Sequence, residues 1–148
     1  MVEVRDSPIL RRIPFLIAVY LVNLPAYAKY SGGGGEPNDP YQIATAADLI
    51  ALGESPEDYD KHFLLTADID LDPNLPGRKV FDKAIIASDT YPMKNDFQGT
   101  PFAGVFDGNR YAISHLTIEG GGSLGWFGQL AARAEVRNQA VSLCQTVL

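Results

Sequence analysis

Four oxygen-bearing side chains at alternate positions could bind a metal ion. The pattern D-x-D-x-D-x-N is formed by Asp68, Asp70, Asp72 and Asn74. A hard cation such as Ca²⁺ needs several oxygens that converge from positions like these. An EF-hand loop also requires Gly at its sixth position and Glu at its twelfth, where this chain has Pro73 and Lys79. We therefore interpret the acidic side chains as the solvent face of a strand, and we assign no metal site.

Other reactive residue types are present but are not grouped by any motif. Acid–base catalysis needs two carboxyl groups at a defined separation, and nothing in the sequence brings Asp107 next to the aspartates above. Cys144 has no histidine close to it in the sequence, and His62 and His115 flank apolar strand residues, as surface positions do. We predict that the chain is not an enzyme, and we assign no catalytic or cofactor-binding residue and no cofactor.

Aromatic residues could form a surface that stacks on sugars or on a protein partner. The candidates are Tyr91, Phe102, Tyr111, Trp126 and Phe127. Phe127 stands between glycines that suit chain corners, so we expect it in the core, and we expect its neighbour Trp126 on the opposite, exposed face. Packing is the more economical interpretation for the set as a whole.

The elements that would position these residues are a strand and a short helix. From His62 to Leu71 apolar and polar residues alternate, which predicts one strand with a single buried face. Thr45 followed three residues later by Asp48 predicts the start of a helix, and Gly53 predicts its end. The Gly- and Pro-rich residues 29–40 predict a flexible leader.

A repeat is indicated near the end of the chain. Shifting the apolar positions of AISHLTI by 23 residues places Ile113, Leu116 and Ile118 on Val136, Gln139 and Val141. Two of the three positions keep a β-branched residue, and glycines between the two segments would form corners, as in a stacked repeat. A β-hairpin at Asp107-Gly108 is the alternative. Gln139 does not fit an apolar core position in the second coil.

The first 28 residues have the layout of a secretory signal peptide. Three arginines precede an apolar run at residues 13–24, and the A-x-A site formed by Ala26, Tyr27 and Ala28 predicts cleavage after Ala28. The run is too short to span a bilayer, so no permanent membrane anchor is expected after cleavage. Removal of residues 1–28 takes two of the 18 acidic and three of the 12 basic residues, which leaves a net charge of −7. Such a charge argues against nucleic acid as a partner.

Several short segments of the sequence resemble segments of secreted bacterial proteins with GLUG-type repeats. They are PNDPYQIATAADLIAL, FLLTADIDLD, FDGN, GWFG and AEVRN. The resemblance implies an all-β fold, a right-handed parallel β-helix, here with an N-terminal cap that contains a short helix. It also implies a location outside the cell or at its surface. The tail AVSLCQTVL has neither a corner glycine nor a polar cap, so an incomplete solenoid is expected.

The predicted organisation is a signal peptide at 1–28, a leader at 29–40, a cap and first strands with long loops at 41–100, and truncated coils at 101–148. The predicted function is a non-catalytic exported scaffold or adhesive module of a larger protein, with a polysaccharide or a cell-surface protein as its partner. The alternative is a carbohydrate-binding or carbohydrate-cleaving β-helix whose active surface lies on coils missing from this chain.

Overall fold

The computed structural model describes residues 28–91, 93–120, 125–138 and 140–147, the last of these ranges by its backbone alone. The predicted signal peptide up to residue 27, the predicted corner glycines Gly121 and Gly122, and Gln139 lie outside the described residues. Within the described residues, no helix combines the length and the apolar character that crossing a bilayer requires.

One helix, a 3₁₀ turn and seven strands form the described domain. In chain order they are β1 (Tyr41–Ile43), α1 (Ala46–Gly53), the turn Pro56–Asp58, β2 (His62–Leu65), β3 (Ile69–Asp70), β4 (Val105–Asp107), β5 (Ala112–Glu119), β6 (Glu135–Arg137) and β7 (Ala140–Val147). A four-stranded sheet has the order β1-β2-β4-β6, and a three-stranded sheet has the order β3-β5-β7. All strand pairs in both sheets are parallel.

The helix begins where the sequence predicted. The Thr45 side chain accepts a hydrogen bond from the backbone N–H of Asp48 at 3.1 Å, and Oδ2 of Asp48 accepts one from the backbone N–H of Thr45 at 3.0 Å. This reciprocal pair satisfies two backbone donors that a helix start leaves free. Leu49 and Leu52 point into the core, and the helix ends at Gly53.

Residues 29–40, expected to form a flexible leader, lie against the domain instead of apart from it. The ring of Tyr30 is buried, and its hydroxyl donates to Oδ2 of Asp58 at 2.8 Å. The backbone N–H of Ser31 donates to the carbonyl oxygen of Gln42 at 3.1 Å. The burial of one aromatic ring and backbone pairing with β1 offset the entropy that the glycines lose.

The prediction for the alternating segment from His62 to Leu71 is correct about the main buried face, but the segment forms two strands and not one. Phe63, Leu65, Ile69 and Leu71 are buried, as predicted, whereas Ala67, which the pattern places on the same face, is only partly buried. The chain leaves the first sheet after Leu65 and enters the second at Ile69, so β2 and β3 belong to different sheets. The period of two therefore continues through a corner, which the sequence pattern alone does not reveal.

The core lies between the two sheets and is mainly aromatic on the side of the four-stranded sheet. Tyr41 pairs with Phe63, and Phe63 pairs with Phe106, so that one ring follows the next from strand to strand. The ring centroids are 5.5 Å apart in the first pair and 6.5 Å in the second. The buried aliphatic residues Ile69, Leu71, Ile113, Leu116 and Ile118 fill the other side.

The prediction of an all-β right-handed parallel β-helix is wrong for the described residues. They form two separate parallel sheets and one helix, and no closed solenoid is present among them. The physical reason lies in the long segment between β3 and β4, which is rich in proline and charged residues. Such a segment cannot continue a ladder of strands, and it contributes only isolated bridges at Phe81, Ile86 and Phe102.

The register predicted from a 23-residue repeat is also wrong. In the structure Ile113 pairs with Val141 and Leu116 with Cys144, a step of 28 residues, while Val136 pairs with Phe106 in the other sheet. Gln139 is therefore not the counterpart of Leu116. The shift of five residues arises because segments of unequal length connect the paired strands, and a search at constant period cannot detect such a pairing.

Candidate functional site

The predicted acidic pattern forms a sequence of turns just after β3. Oδ1 of Asp70 accepts a hydrogen bond from the backbone N–H of Asp72 at 2.9 Å. Oδ1 of Asp72 in turn accepts from the backbone N–H and the side-chain amide of Asn74, at 2.9 and 2.7 Å. Asp68 turns elsewhere, because its Oδ1 accepts from the backbone N–H of Ala112 at 2.7 Å. These side chains bind the backbone of their own domain, as Asx turns do.

The structure does not bring the four side chains together as a cation cage. Among the described residues, no group of three or more histidine, cysteine, aspartate or glutamate side chains has the geometry to hold a metal ion. Asp107, the third carboxylate considered for acid–base chemistry, lies on the other sheet, in β4. The acidic pattern therefore supports the local fold.

An imidazole–carboxylate pair joins β5 to β3. Nδ1 of His115 lies 2.8 Å from Oδ1 of Asp70. The backbone N–H of Asp72, and after it the His115 ring, lower the pKa of the Asp70 carboxyl below its usual value. An ionised carboxylate only accepts hydrogen bonds, so Nδ1 is the protonated nitrogen and Nε2 remains on the outer side of the ring.

The backbone of His115 explains why its ring reaches Asp70. Its φ is +55°, in the left-handed region that few non-glycine residues adopt. Ile113 and Leu116 are both buried, so two successive residues between them face outward instead of one. The alternation of inward and outward residues shifts by one position at this point. From there on, His115, Thr117 and Glu119 share the outer face of β5.

A surface groove lies beside this outer face. Its volume is about 470 Å³, and it is lined by Asp72, Pro73, Asn74, Val80, His115, Leu116, Thr117 and Glu119. One wall is the outer face of β5, and the other is the segment that follows β3. The groove is thus the place where the predicted acidic pattern and one of the two predicted surface histidines meet.

The wall formed by residues 72–80 is fixed at both ends. Nε of Arg78 donates to the carbonyl oxygen of Asp70 at 3.0 Å, and its Nη1 donates to that of Pro76 at 2.7 Å. At the far end the backbone N–H of Phe81 donates to the carbonyl oxygen of Thr117 at 3.0 Å, and the backbone N–H of Glu119 donates to the Phe81 carbonyl at 2.8 Å. The groove is pre-formed by these bonds.

A second polar cluster lies on the four-stranded sheet and is built around Asp107. Its Oδ2 accepts from Nε of Arg137 at 2.9 Å, and its Oδ1 accepts from the backbone N–H of Asn109 at 2.8 Å and the amide of Asn138 at 3.1 Å. Partial burial works to raise the pKa of Asp107, but these hydrogen bonds outweigh it and the pKa is lowered. Its oxygens are occupied within the fold, so we assign the cluster a structural role.

Most of the aromatic residues that were considered for a binding surface pack within the fold, the interpretation preferred from the sequence. Phe102 is fully buried, and Phe127 packs against it with 5.1 Å between ring centroids. The prediction that Trp126 is an exposed residue is wrong, because its ring packs edge-on against Phe106 at 6.1 Å and adds to the core. Tyr91 is 64% exposed and lies apart from these rings. Packing accounts for the set, with Tyr91 as the exception.

Sequence reasoning missed the pairing of His115 with Asp70 and the groove beside them. The two residues are 45 positions apart, and their contact depends on a corner at Thr66–Asp68 and on the left-handed backbone of His115. The signal that the sequence does contain is the run HLTIE, in which polar residues alternate with apolar ones and converge on one face.

Comparison with known proteins gives one similarity. A segment of halomucin from Haloquadratum walsbyi is 30% identical to this chain over 112 residues. The matched segment covers 72% of this chain but only 1% of halomucin, so the chain spans about one hundredth of the length of that relative. No family model and no solved structure matches the chain.

Proposed function

We propose that the chain is a non-catalytic module of a larger exported protein and acts as a scaffold or adhesive surface. The observation that supports this most is the halomucin similarity, in which a domain-sized segment corresponds to a very small part of a long protein. Modules of this size within long chains supply spacing and binding surfaces. The internal use of the Asp107 and Asp72 oxygens fits such a role, because these groups stabilise turns.

A location at the cell surface is supported by the similarity to halomucin. The finer part, export through a signal peptide that is removed after Ala28, is our proposal and rests on the layout of residues 1–28. The resemblance to GLUG-type repeat proteins supports the same location. The β-helix fold that this resemblance implies is not part of the proposal, because the structure contradicts it.

Processing of the first residues tests this proposal. A chain tagged at its C-terminus should be recovered outside the cytoplasm of a secreting host, and N-terminal sequencing should begin at Lys29. Ala28→Asp should block cleavage, because signal peptidases require a small residue at that site. Ala47→Asp is the matched control, since Ala47 is exposed on α1. Cytoplasmic protein that retains Met1 would overturn the proposal.

A carbohydrate-binding or carbohydrate-cleaving protein is the second candidate, and the groove beside His115 favours it. Its lining offers carboxylate, amide, hydroxyl and imidazole groups that can bind sugar hydroxyls. We therefore propose binding as the activity of this candidate. Incubation with neutral and acidic polysaccharides should release no new reducing ends, and release that is lost in His115→Gln would establish cleavage.

A further inference from the structure

The groove beside β5 presents several polar groups that the described part of the fold does not use. Oδ1 of Asn74 and Oδ2 of Asp72 make no hydrogen bond to the described residues, and neither do the Thr117 hydroxyl and the Glu119 carboxylate. Nε2 of His115 is the fifth such group, since only Nδ1 bonds to Asp70. All five belong to residues that line one groove. Such a set suits a ligand with many hydroxyl groups.

Three of the residues that carry these groups are held in place by bonds on their other sides. His115 is fixed by Asp70, Asn74 by Asp72, and Thr117 by its backbone bond to Phe81. A ligand that binds here does not have to order a loop, which removes much of the entropic cost of binding. The groove volume of about 470 Å³ lies in the usual range for small-molecule sites.

The charge of the lining narrows the class of ligand. Asp72 and Glu119 are its charged residues, and no lysine or arginine lines the groove. Carboxylates accept hydrogen bonds from hydroxyl groups but repel anionic groups. Pro73 and Val80 add apolar surface, which can contact the C–H faces of a sugar ring. Sulfated sugars and uronic acids are therefore poor ligands for this groove.

We propose that this groove binds a neutral glycan through the side chains of Asn74, Thr117 and Glu119. The inference rests on the proposed function, because it names the partner class for which a surface module would be adhesive. His115 orients the site: Nδ1 of its ring faces Asp70 at 2.8 Å, which leaves Nε2 on the outer side of the ring for a sugar hydroxyl. The left-handed backbone at His115 places its side chain on the same face of β5 as Thr117 and Glu119, which line the same groove.

The proposal is tested by titrating the purified chain with tetramers of glucose, mannose and galacturonate. Calorimetry measures the affinity, and NMR shifts show whether groove residues are affected. At least one neutral tetramer should bind with a Kd of about 0.1 to 1 mM, a range typical of small polar ligands. The galacturonate tetramer should bind at least about tenfold more weakly, because Asp72 and Glu119 repel its carboxylate groups. Preference for galacturonate, or no binding by any tetramer, would overturn the proposal.

Variants locate the site. Thr117→Val and Glu119→Gln should each weaken binding of the neutral tetramer about tenfold without changing the Tm, because both side chains project from the outer face of β5 and make no bond within the described fold. Glu36→Gln removes an exposed carboxylate outside the groove and should leave the affinity unchanged. Equal affinities in all three variants would place the glycan elsewhere and overturn the inference.

The two proposals fail separately. A chain that is exported and cleaved after Ala28 but binds no neutral glycan would overturn only the groove assignment. Retention in the cytoplasm would overturn the proposed function, whatever the chain binds. Binding that appears only when Ca²⁺ is added, and that Glu119→Gln abolishes, would show a cation-bridged site and would also overturn direct recognition by these side chains.

Discussion

In the four-stranded sheet each of three neighbouring strands places an aromatic ring in the interior at one register position. In the three-stranded sheet the corresponding interior residues are aliphatic, beginning with Ile69 and Ile113. The two sheets also differ in the partner and the exposure of the aspartate that each one carries. Asp107 is held by Arg137 and its side chain is 18% exposed, whereas Asp70 is held by His115 and is 43% exposed. The first sheet therefore uses its carboxylate mainly within the fold, and the second leaves polar groups at the surface beside the groove.

The largest expected effect is the loss of stability when a buried side chain of either sheet is removed. Phe106→Ala removes ring contacts with Phe63, Trp126 and Phe127 and should lower the free energy of unfolding by about 3 to 5 kcal/mol. Ile113→Ala should cost about 2 to 4 kcal/mol. Denaturant unfolding of both variants measures the difference. A larger loss for Ile113→Ala would reverse the comparison between the sheets.

A smaller effect is expected at the two carboxylates. Asp107→Ala should lower the free energy of unfolding at pH 7 by about 1 to 2 kcal/mol, because the change leaves Arg137, Asn138 and the Asn109 N–H without their acceptor. Asp70→Ala should cost less, since that side chain is more exposed to water. Both aspartates accept a backbone N–H two residues on, so the difference between the variants reports on their side-chain partners. Equal losses of unfolding free energy in the two variants would contradict this prediction.

The smallest effect is on the titration of Asp70. Its pKa is lowered in the folded state, so its contribution to stability is present above the unfolded pKa of about 4 and is lost as the pH falls through the lower folded value. In His115→Gln the NMR midpoint of the Asp70 carboxyl should rise but stay below its usual value, because the Asp72 N–H still donates. Arg137→Gln should raise the midpoint of Asp107 as the matched comparison. An unchanged Asp70 midpoint in His115→Gln would show that the imidazole does not stabilise the carboxylate.

Local patterns predicted local structure well. The capping pair of Thr45 and Asp48 and the buried face from Phe63 to Leu71 were both evident from spacing, since each depends on residues a few positions apart. The sheet register was not, because it depends on the lengths of irregular connections. Trp126 was placed on the wrong face for a related reason: alternation applies within a strand, and this residue lies in an irregular segment with only an isolated bridge beside it.

The candidate site was only partly predictable. The acidic pattern from Asp68 to Asn74 was evident, and so was its mismatch with an EF-hand loop. The approach of His115 to Asp70 was not, because a left-handed residue inside a strand has no distinct sequence signal unless it is glycine or asparagine. The resemblance to GLUG-type repeats predicted a solenoid, and the proline-rich connection between β3 and β4 is the feature that should have argued against it.

The parallel pairing of every described strand has a consequence for how the chain folds. The paired residues of neighbouring strands are separated by at least 22 positions, as in Tyr41 with Phe63, and by 44 in Ile69 with Ile113. Long loops must close before any of these contacts can form, which makes folding slow. Slow folding keeps a newly made polypeptide unfolded for longer. That property fits the export that we propose for this chain.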